Sequence, residues 1–286
     1  MKLNGSFFVD SFRFSEGEYM QKNMNFPRMD WALKNRNQVN YVNSIMLVSD
    51  FFKERDCIPV ISMKKGLILR KDDIINLISY IRDNKQPVCI RIESNIFPDF
   101  EDVLSELTSS DYLMLDIREQ PVNSQEMTYR RLKRLNIPAT KILLNSPRKR
   151  EYLNTFYNKN GFTDQIDNSA LELFEIIGFD GVGDYAGLKD KLPENSGGNG
   201  KGLAMAFVFC AEENAFWIAG NDNTNDGVKG YAAVKDELIK NRDLLDPGLR
   251  CPAFMEIERI KNGNWSNWIE ITVIRYIDQI DNYYFK

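Results

Sequence analysis

Short apolar runs along the chain each end in side chains that could do chemistry. CIPVISM is followed by Lys64, VCIRIE carries Arg91 and Glu93, and YLMLDIR carries Asp116 and Arg118. TKILLN closes on Asn145, and GVG runs straight into Asp184 and Tyr185. In an extended strand, residues two apart share a face. Arg91 and Glu93 therefore point the same way, as do Asp116 and Arg118. If Val88, Ile90 and Ile92 pack outward, and Leu113, Leu115 and Ile117 do the same, two cations and two anions are left in one interior. Such charges are costly to bury unless they pair. Two chemistries follow. Arg91 and Arg118, with Lys64, Asn145 and Tyr185, could bind a phosphate, carboxylate or sugar-like ligand, the guanidiniums acting as a bidentate clamp. Glu93, Asp116 and Asp184 could then serve as acid or base. The alternative is a salt-bridge network that only closes the end of a fold. Asp184 itself is either a site carboxylate or a turn-maker among Gly178, Gly181, Gly183 and Gly187.

The chain of 286 residues contains no histidine. Ser-His-Asp and Cys-His catalysis and histidine-held zinc are thereby excluded. A net charge of −4 gives no global footprint for nucleic acid, although YRRLKR and KILLNSPRKREY concentrate cations between residues 129 and 150. That stretch reads either as a solvated helix face or as a local contact for an anionic partner. The cysteines at 57, 89, 210 and 251 have no CxxC spacing, so buried free thiols in a reducing, cytoplasmic setting are expected. No signal segment is expected from MKLNGSFFVDSF, and LAMAFVFCA is too short to span a membrane. Three carboxylates could hold a divalent ion, but no DxD pattern supports one, and neither a metal site nor a cofactor is assigned. GGNGKG lacks the spacing of a phosphate loop and reads as a linker or lid.

The elements that would position these groups alternate. Residues 1–30 read as an aromatic N-terminal cap with a short strand or hairpin, and apolar spacing over 29–53 predicts a helix. Strands are then expected at 57–63, 88–93, 112–118, 140–145 and 181–186, with helices at 72–84, 100–107, 125–135 and 151–158 between them. Such alternation signals βαβ crossovers and a parallel sheet. An antiparallel hairpin follows over 203–219, then a helix at 231–240, a strand at 252–260 and a closing helix at 265–280. Trp265 and Trp268 read as core anchors of that last helix. The expected fold is α/β: a distorted TIM-like (β/α) barrel over 31–286, with a hairpin in its second half. Chemistry in a barrel sits at the C-terminal strand ends, where the residues above fall.

GFDGVGDYAG before a Gly-rich loop, the LAMAFVF strand and a hairpin bearing Trp217 resemble the phage "beta protein" family and its bacterial relatives. IPVIS, after a helix opening with Arg36, Asn37 and Gln38, is similar too, as is the ending WSNWIEITVIRYIDQI. The resemblance covers residues 30 to 280. It implies a barrel-like α/β fold, occurrence in phages and anti-phage defence loci, and no established reaction. By position, Arg91, Asp116, Asp184 and Tyr185 match the polar strand ends of that family. Tyr276 stands where relatives often carry a histidine, so chemistry done by a histidine there is not expected of this chain.

Three functions fit this pattern. The barrel mouth could bind a small anionic, nucleotide- or phosphate-like ligand, within a phage or defence system. It could be a non-catalytic scaffold for a protein partner from the same locus. It could be a metal-dependent phosphodiesterase or nuclease using carboxylates. Whether the chain is an enzyme is left open by its residues.

Overall fold

The computed structural model describes residues 7–10, 57–65, 69–149, 156–189, 203–221, 223–248, 250–261 and 263–285. The helix expected over 29–53, the Gly-rich loop and most of the helix expected at 151–158 lie outside these residues. The chain divides into two compact units, Met1–Asn145 with Leu173–Gly183, and Ser146–Glu172 with Asp184–Lys286.

The first unit is a parallel sheet. Its strands are β1 (Phe7–Val9), β2 (Cys57–Met63), β3 (Cys89–Glu93), β4 (Tyr112–Asp116) and β5 (Thr140–Leu144). The last is β7 (Gly181–Gly183), and each strand lies beside the next in the order β1-β2-β3-β4-β5-β7. All are parallel. Every residue of β2 and β3 is buried, as befits strands covered on both faces. Helices α1 (Lys71–Asp83), α2 (Glu101–Leu104) and α3 (Glu126–Leu135) fill the crossovers. In α1 the buried residues Ile74, Leu77, Ile78 and Ile81 form one apolar stripe, and Asp72 and Asp73 favour its N-terminal dipole. Asn136, at φ 47°, ends α3 in the left-handed region.

Period two sorts the strands into two faces. Ile58, Val60, Cys89 and Met114 cluster on one face, with Tyr112, Ile142 and Leu144 packed against them. Phe8 pairs in register with Ile58, and its ring meets that of Tyr112 with centroids 4.9 Å apart. Two strands separate β1 from β4, and three spacings of a flat sheet span about 14 Å. The sheet therefore curls towards this face, as half of a barrel does. Alternation carries the same face onward to Ser62, Arg91, Glu93 and Asp116, so polar groups sit above an apolar floor. At the opposite end of the sheet, buried Asp111 accepts from the Val88 N–H at 2.9 Å and from Arg82 Nη2 at 2.6 Å. Burial opposes its charge, but these bonds and those from Thr108 hold its carboxyl below the ordinary value.

Helix α4 (Ser169–Ile177) joins the two units in sequence. Ile176 and Ile177 end this helix, and Ile176 is 80% exposed. Gly178, at φ 104°, supplies the left-handed turn that lets the chain leave the helix for β7.

The second unit holds β6 (Gly161–Phe162), β8 (Met205–Cys210) and β9 (Ala215–Gly220), paired antiparallel in the order β6-β9-β8. The expected hairpin is present, turning through Asn214 at φ 49°. Phe207, Phe209, Phe216 and Ile218 cluster with Tyr276. Ala206, Val208, Trp217 and Ala219 cluster with residues of α5 (Tyr231–Lys240), α7 (Pro252–Arg259) and α8 (Trp265–Tyr284). A four-residue helix, α6 (Arg242–Leu245), lies between α5 and α7. Helix α8 opens on a reciprocal cap, in which the Asn264 side chain accepts from the Ser266 and Asn267 N–H groups and Asn267 accepts from Asn264. Trp268 is 2% exposed and stacks on Tyr231, whereas Trp265 is 53% exposed and anchors nothing in the core.

The strand expected at 252–260 is a helix. Pro252 occupies the first turn, where its missing N–H costs nothing, and Ala253, Phe254 and Ile257 bury one helical stripe while Met255 is exposed. On this helix Glu256 pairs with Arg259, and Glu258 with Arg242.

Candidate functional site

Polar side chains converge where β1 to β4 end. Arg91 leaves the middle of β3 and reaches two carboxylates. Its Nε and Nη2 donate to Asp116 Oδ2 at 3.0 and 2.5 Å, and its Nη1 donates to Asp10 Oδ2 at 2.6 Å. Ser62 Oγ, at the end of β2, donates to the other oxygen of Asp10 at 2.8 Å. Glu93, one face-step beyond Arg91, pairs through Oε1 with Arg118 Nη1. Its Oε2 accepts the Lys65 N–H at 3.0 Å. The carboxylate of Asp116 is 1% exposed, that of Glu93 8%, and the Arg118 and Asp10 side chains 19% and 17%. Arg118 and Asp10 are thus the most open side chains of the cluster, and Asp116 the deepest.

Arg118 lies two residues beyond β4, not on it. Its φ of 57° is left-handed, a conformation in which a non-glycine residue is strained by roughly 1–2 kcal/mol. Local bonds hold it there. The Arg118 N–H donates to Asp116 Oδ1 at 2.9 Å, and Asn145 Nδ2 donates to the carbonyls of Arg118 and Gln120 at 2.7 and 3.1 Å. The turn swings the guanidinium back over the end of β3, to Glu93.

The structure thus brings together Arg91, Glu93, Asp116, Arg118 and Asn145. Lys64 is buried at 3% exposure just past β2. Burial, then the nearby Asp10 carboxylate, holds the Cys89 thiol beneath this cluster well above its ordinary value, so it stays protonated near neutrality. Asp10 and Ser62 complete the network. The signal for Asp10 was available: FFVD is an apolar run ending in aspartate, as YLMLD is. What hid it was the separation of 81 residues between Asp10 and Arg91.

Asp184 and Tyr185 belong to the second unit. Asp184 Oδ2 accepts from Tyr276 Oη at 2.5 Å, and its Oδ1 accepts the Ala186 N–H at 2.6 Å. Burial raises the Asp184 carboxyl above its ordinary value, against the opposing pull of these two donors. The Tyr276 hydroxyl is likewise held far above its ordinary value by burial and by Asp184. Asp184 makes a turn here, its Oδ1 bonding the backbone two residues on. Tyr185 is 9% exposed. Gly187 packs on the Tyr276 ring so closely that a Cβ there would lie 2.8 Å from Cδ2.

Several of the cations between 129 and 150 have partners of their own. Arg130 pairs with Glu126 and Arg131 with Glu101, while Arg148 is 6% exposed and lies 4.0 Å over the Phe207 ring. Among the described residues no three cysteine or carboxylate side chains converge as metal ligands. No described helix is long and apolar enough to cross a membrane.

A comparison with protein-family models finds none that matches the chain, and a comparison with curated proteins finds no match.

Proposed function

We propose that the C-terminal end of the parallel sheet binds a small anionic ligand of the phosphate or nucleotide class, with Arg118 making the contact. The strained turn of Arg118 carries this reading. Residues held in sparsely populated backbone conformations cluster at ligand sites, and this one is fixed by Asp116 on its N–H and by Asn145 on its carbonyl. It sits where open and closed α/β sheets bind ligands, beyond the carboxyl ends of the strands. Arg91, committed to two carboxylates, serves as the strut of the site. Asp116 and Asn145 position Arg118, and Glu93 is the carboxylate nearest to it in bonding. The in-order, curled parallel strands support a distorted, barrel-like (β/α) fold as the frame. Any place in a phage or defence locus rests on the resemblance described above.

Thermal denaturation with inorganic phosphate, nucleotides and sugar phosphates tests the reading. A ligand at one hundred times its dissociation constant adds about 2.7 kcal/mol of stability. That gain is expected in the wild type and lost in Arg118→Ala. A panel without effect on either protein refutes it.

A second reading has its own observation. Each carboxylate oxygen of Asp10, Glu93 and Asp116 already accepts a hydrogen bond within the cluster. A network satisfied in this way also fits a scaffold that docks a protein partner, in which the charges only set the fold.

A further inference from the structure

Glu93 is held in an unusual way for a structural carboxylate. Its two oxygens are taken by two donors from different strand ends: the backbone N–H of Lys65, following β2, and the guanidinium of Arg118, following β4. A main-chain N–H beside an arginine fork is a donor set that binds two oxygens of a phosphate or carboxylate. Lys65 is exposed, and the Arg118 side chain is more open than the carboxylate that it grips, 19% against 8%. Glu93 therefore lies deeper than the residues that grip it. The backbone of Arg118 is pinned independently of Glu93, by Asp116 and Asn145. Removing the Glu93 carboxylate would leave the turn that carries Arg118 in place.

We infer that Glu93 is an internal stand-in for the ligand: its carboxylate fills the oxyanion site that the ligand's own anionic group takes over on binding. This rests on the reading of that end of the sheet as a ligand site, and it gives Glu93 a competitive role in place of an acid–base one. The apparent affinity of such a site is lowered by the fraction of molecules in which the internal anion holds it. A dianion such as phosphate competes better than a monoanion. The internal anion lowers the affinity for both by the same factor, so the weaker monoanion is the one that falls below detection.

The experiment is isothermal titration of wild type, Glu93→Ala and Glu93→Ala/Arg118→Ala with inorganic phosphate and with formate, at ionic strength matched with chloride. Glu93→Ala is expected to bind phosphate about tenfold or more tightly than wild type. It should also gain formate binding that wild type lacks, since formate restores the missing carboxylate, and both gains should vanish in the double variant. Phosphate binding to wild type that is equal or weaker in Glu93→Ala overturns the stand-in role and leaves the ligand site standing. No binding of either anion to any of the three proteins overturns both. If Glu93→Ala does not fold, Glu93→Gln keeps the shape, retains an acceptor for the Lys65 N–H and carries the same expectation for phosphate.

Discussion

Replacing Asp116 with asparagine exchanges one carboxylate oxygen for an amide NH₂ at the base of the cluster and tests how the cluster is held. Asp116 Oδ2 accepts two bonds from Arg91, and Oδ1 accepts the Arg118 N–H, at 1% side-chain exposure. In Asp116→Asn the amide oxygen can serve only one of these partners. If it keeps the Arg118 N–H, the amide NH₂ faces the Nε and Nη2 donors of Arg91. Breaking a buried ion pair by removing one partner costs about 3–5 kcal/mol, because the other charge is left buried. Arg91 keeps Asp10 at 2.6 Å, which places the expected loss at the lower end, about 3 kcal/mol. For a folding unit of this size, 1 kcal/mol moves the midpoint by about 2–4 °C, so a fall of roughly 6–12 °C is expected. Urea denaturation, with the midpoint lowered and the m-value unchanged, is the assay. A loss below about 1 kcal/mol in Asp116→Asn would refute the argument that Arg91 is a strut braced from beneath.

The second unit carries its own tests. The Asp184 carboxyl is raised in the folded state, so its contribution to stability is fully present below its ordinary value of 3.8 and is lost as pH rises through the folded value. The wild type should lose stability over that window relative to Asp184→Asn, as read by denaturation midpoints at a series of pH values; parallel pH curves would contradict the assignment. In Gly187→Ala a methyl group meets Tyr276 at 2.8 Å while φ stays near 72°, so a loss of about 2 kcal/mol or more in urea denaturation is expected, and a neutral effect would contradict the close approach.

Period and spacing carried most of the first unit. The strands ending in Glu93, Asp116 and Leu144 lie within two residues of where alternation put them, because a parallel strand covered on both faces leaves a short apolar run with little ambiguity. Alternation also placed Arg91 and Glu93 on one face. It failed at Arg118, which shares that environment through a left-handed turn after the strand has ended. No pattern of residue types announces such a turn at arginine. PAFMEIERI misled for a different reason. Nine residues with apolar groups at 253, 254, 255, 257 and 260 fit either period, and only Pro252 at the helix start separates them. The pairing of Asp184 with Tyr276 spans 92 residues and turns on where α8 packs, so it could not be read from either segment alone.

Two buried arginines in this chain are compensated in opposite ways, and one pair of substitutions separates them. Arg91 is held by carboxylates. Lysine there keeps a charge for Asp10 and Asp116, though it loses the fork, whereas methionine leaves both anions without it. Arg148 is held by aromatic faces and by neutral oxygens, the Tyr157 hydroxyl among them. Its guanidinium lies 4.0 Å from the Phe207 centroid and 5.3 Å from that of Phe216, and its Nη1 donates to the Gly187 carbonyl at 2.9 Å. Its Nε is buried without a hydrogen-bond partner among the described residues, and burial pulls its ionisation below the ordinary value. A guanidinium tolerates such a place because it is flat, delocalised and weakly hydrated; an ammonium is compact and strongly hydrated and does not. Methionine loses the carbonyl bond but brings no charge, and its thioether packs well on aromatic rings. The order of stability should therefore cross: Arg91→Lys above Arg91→Met, but Arg148→Met above Arg148→Lys, each by about 1 kcal/mol or more in urea denaturation. The same order at both positions would show that the two arginines are held by one kind of force, and the contrast between carboxylate and aromatic compensation would fall.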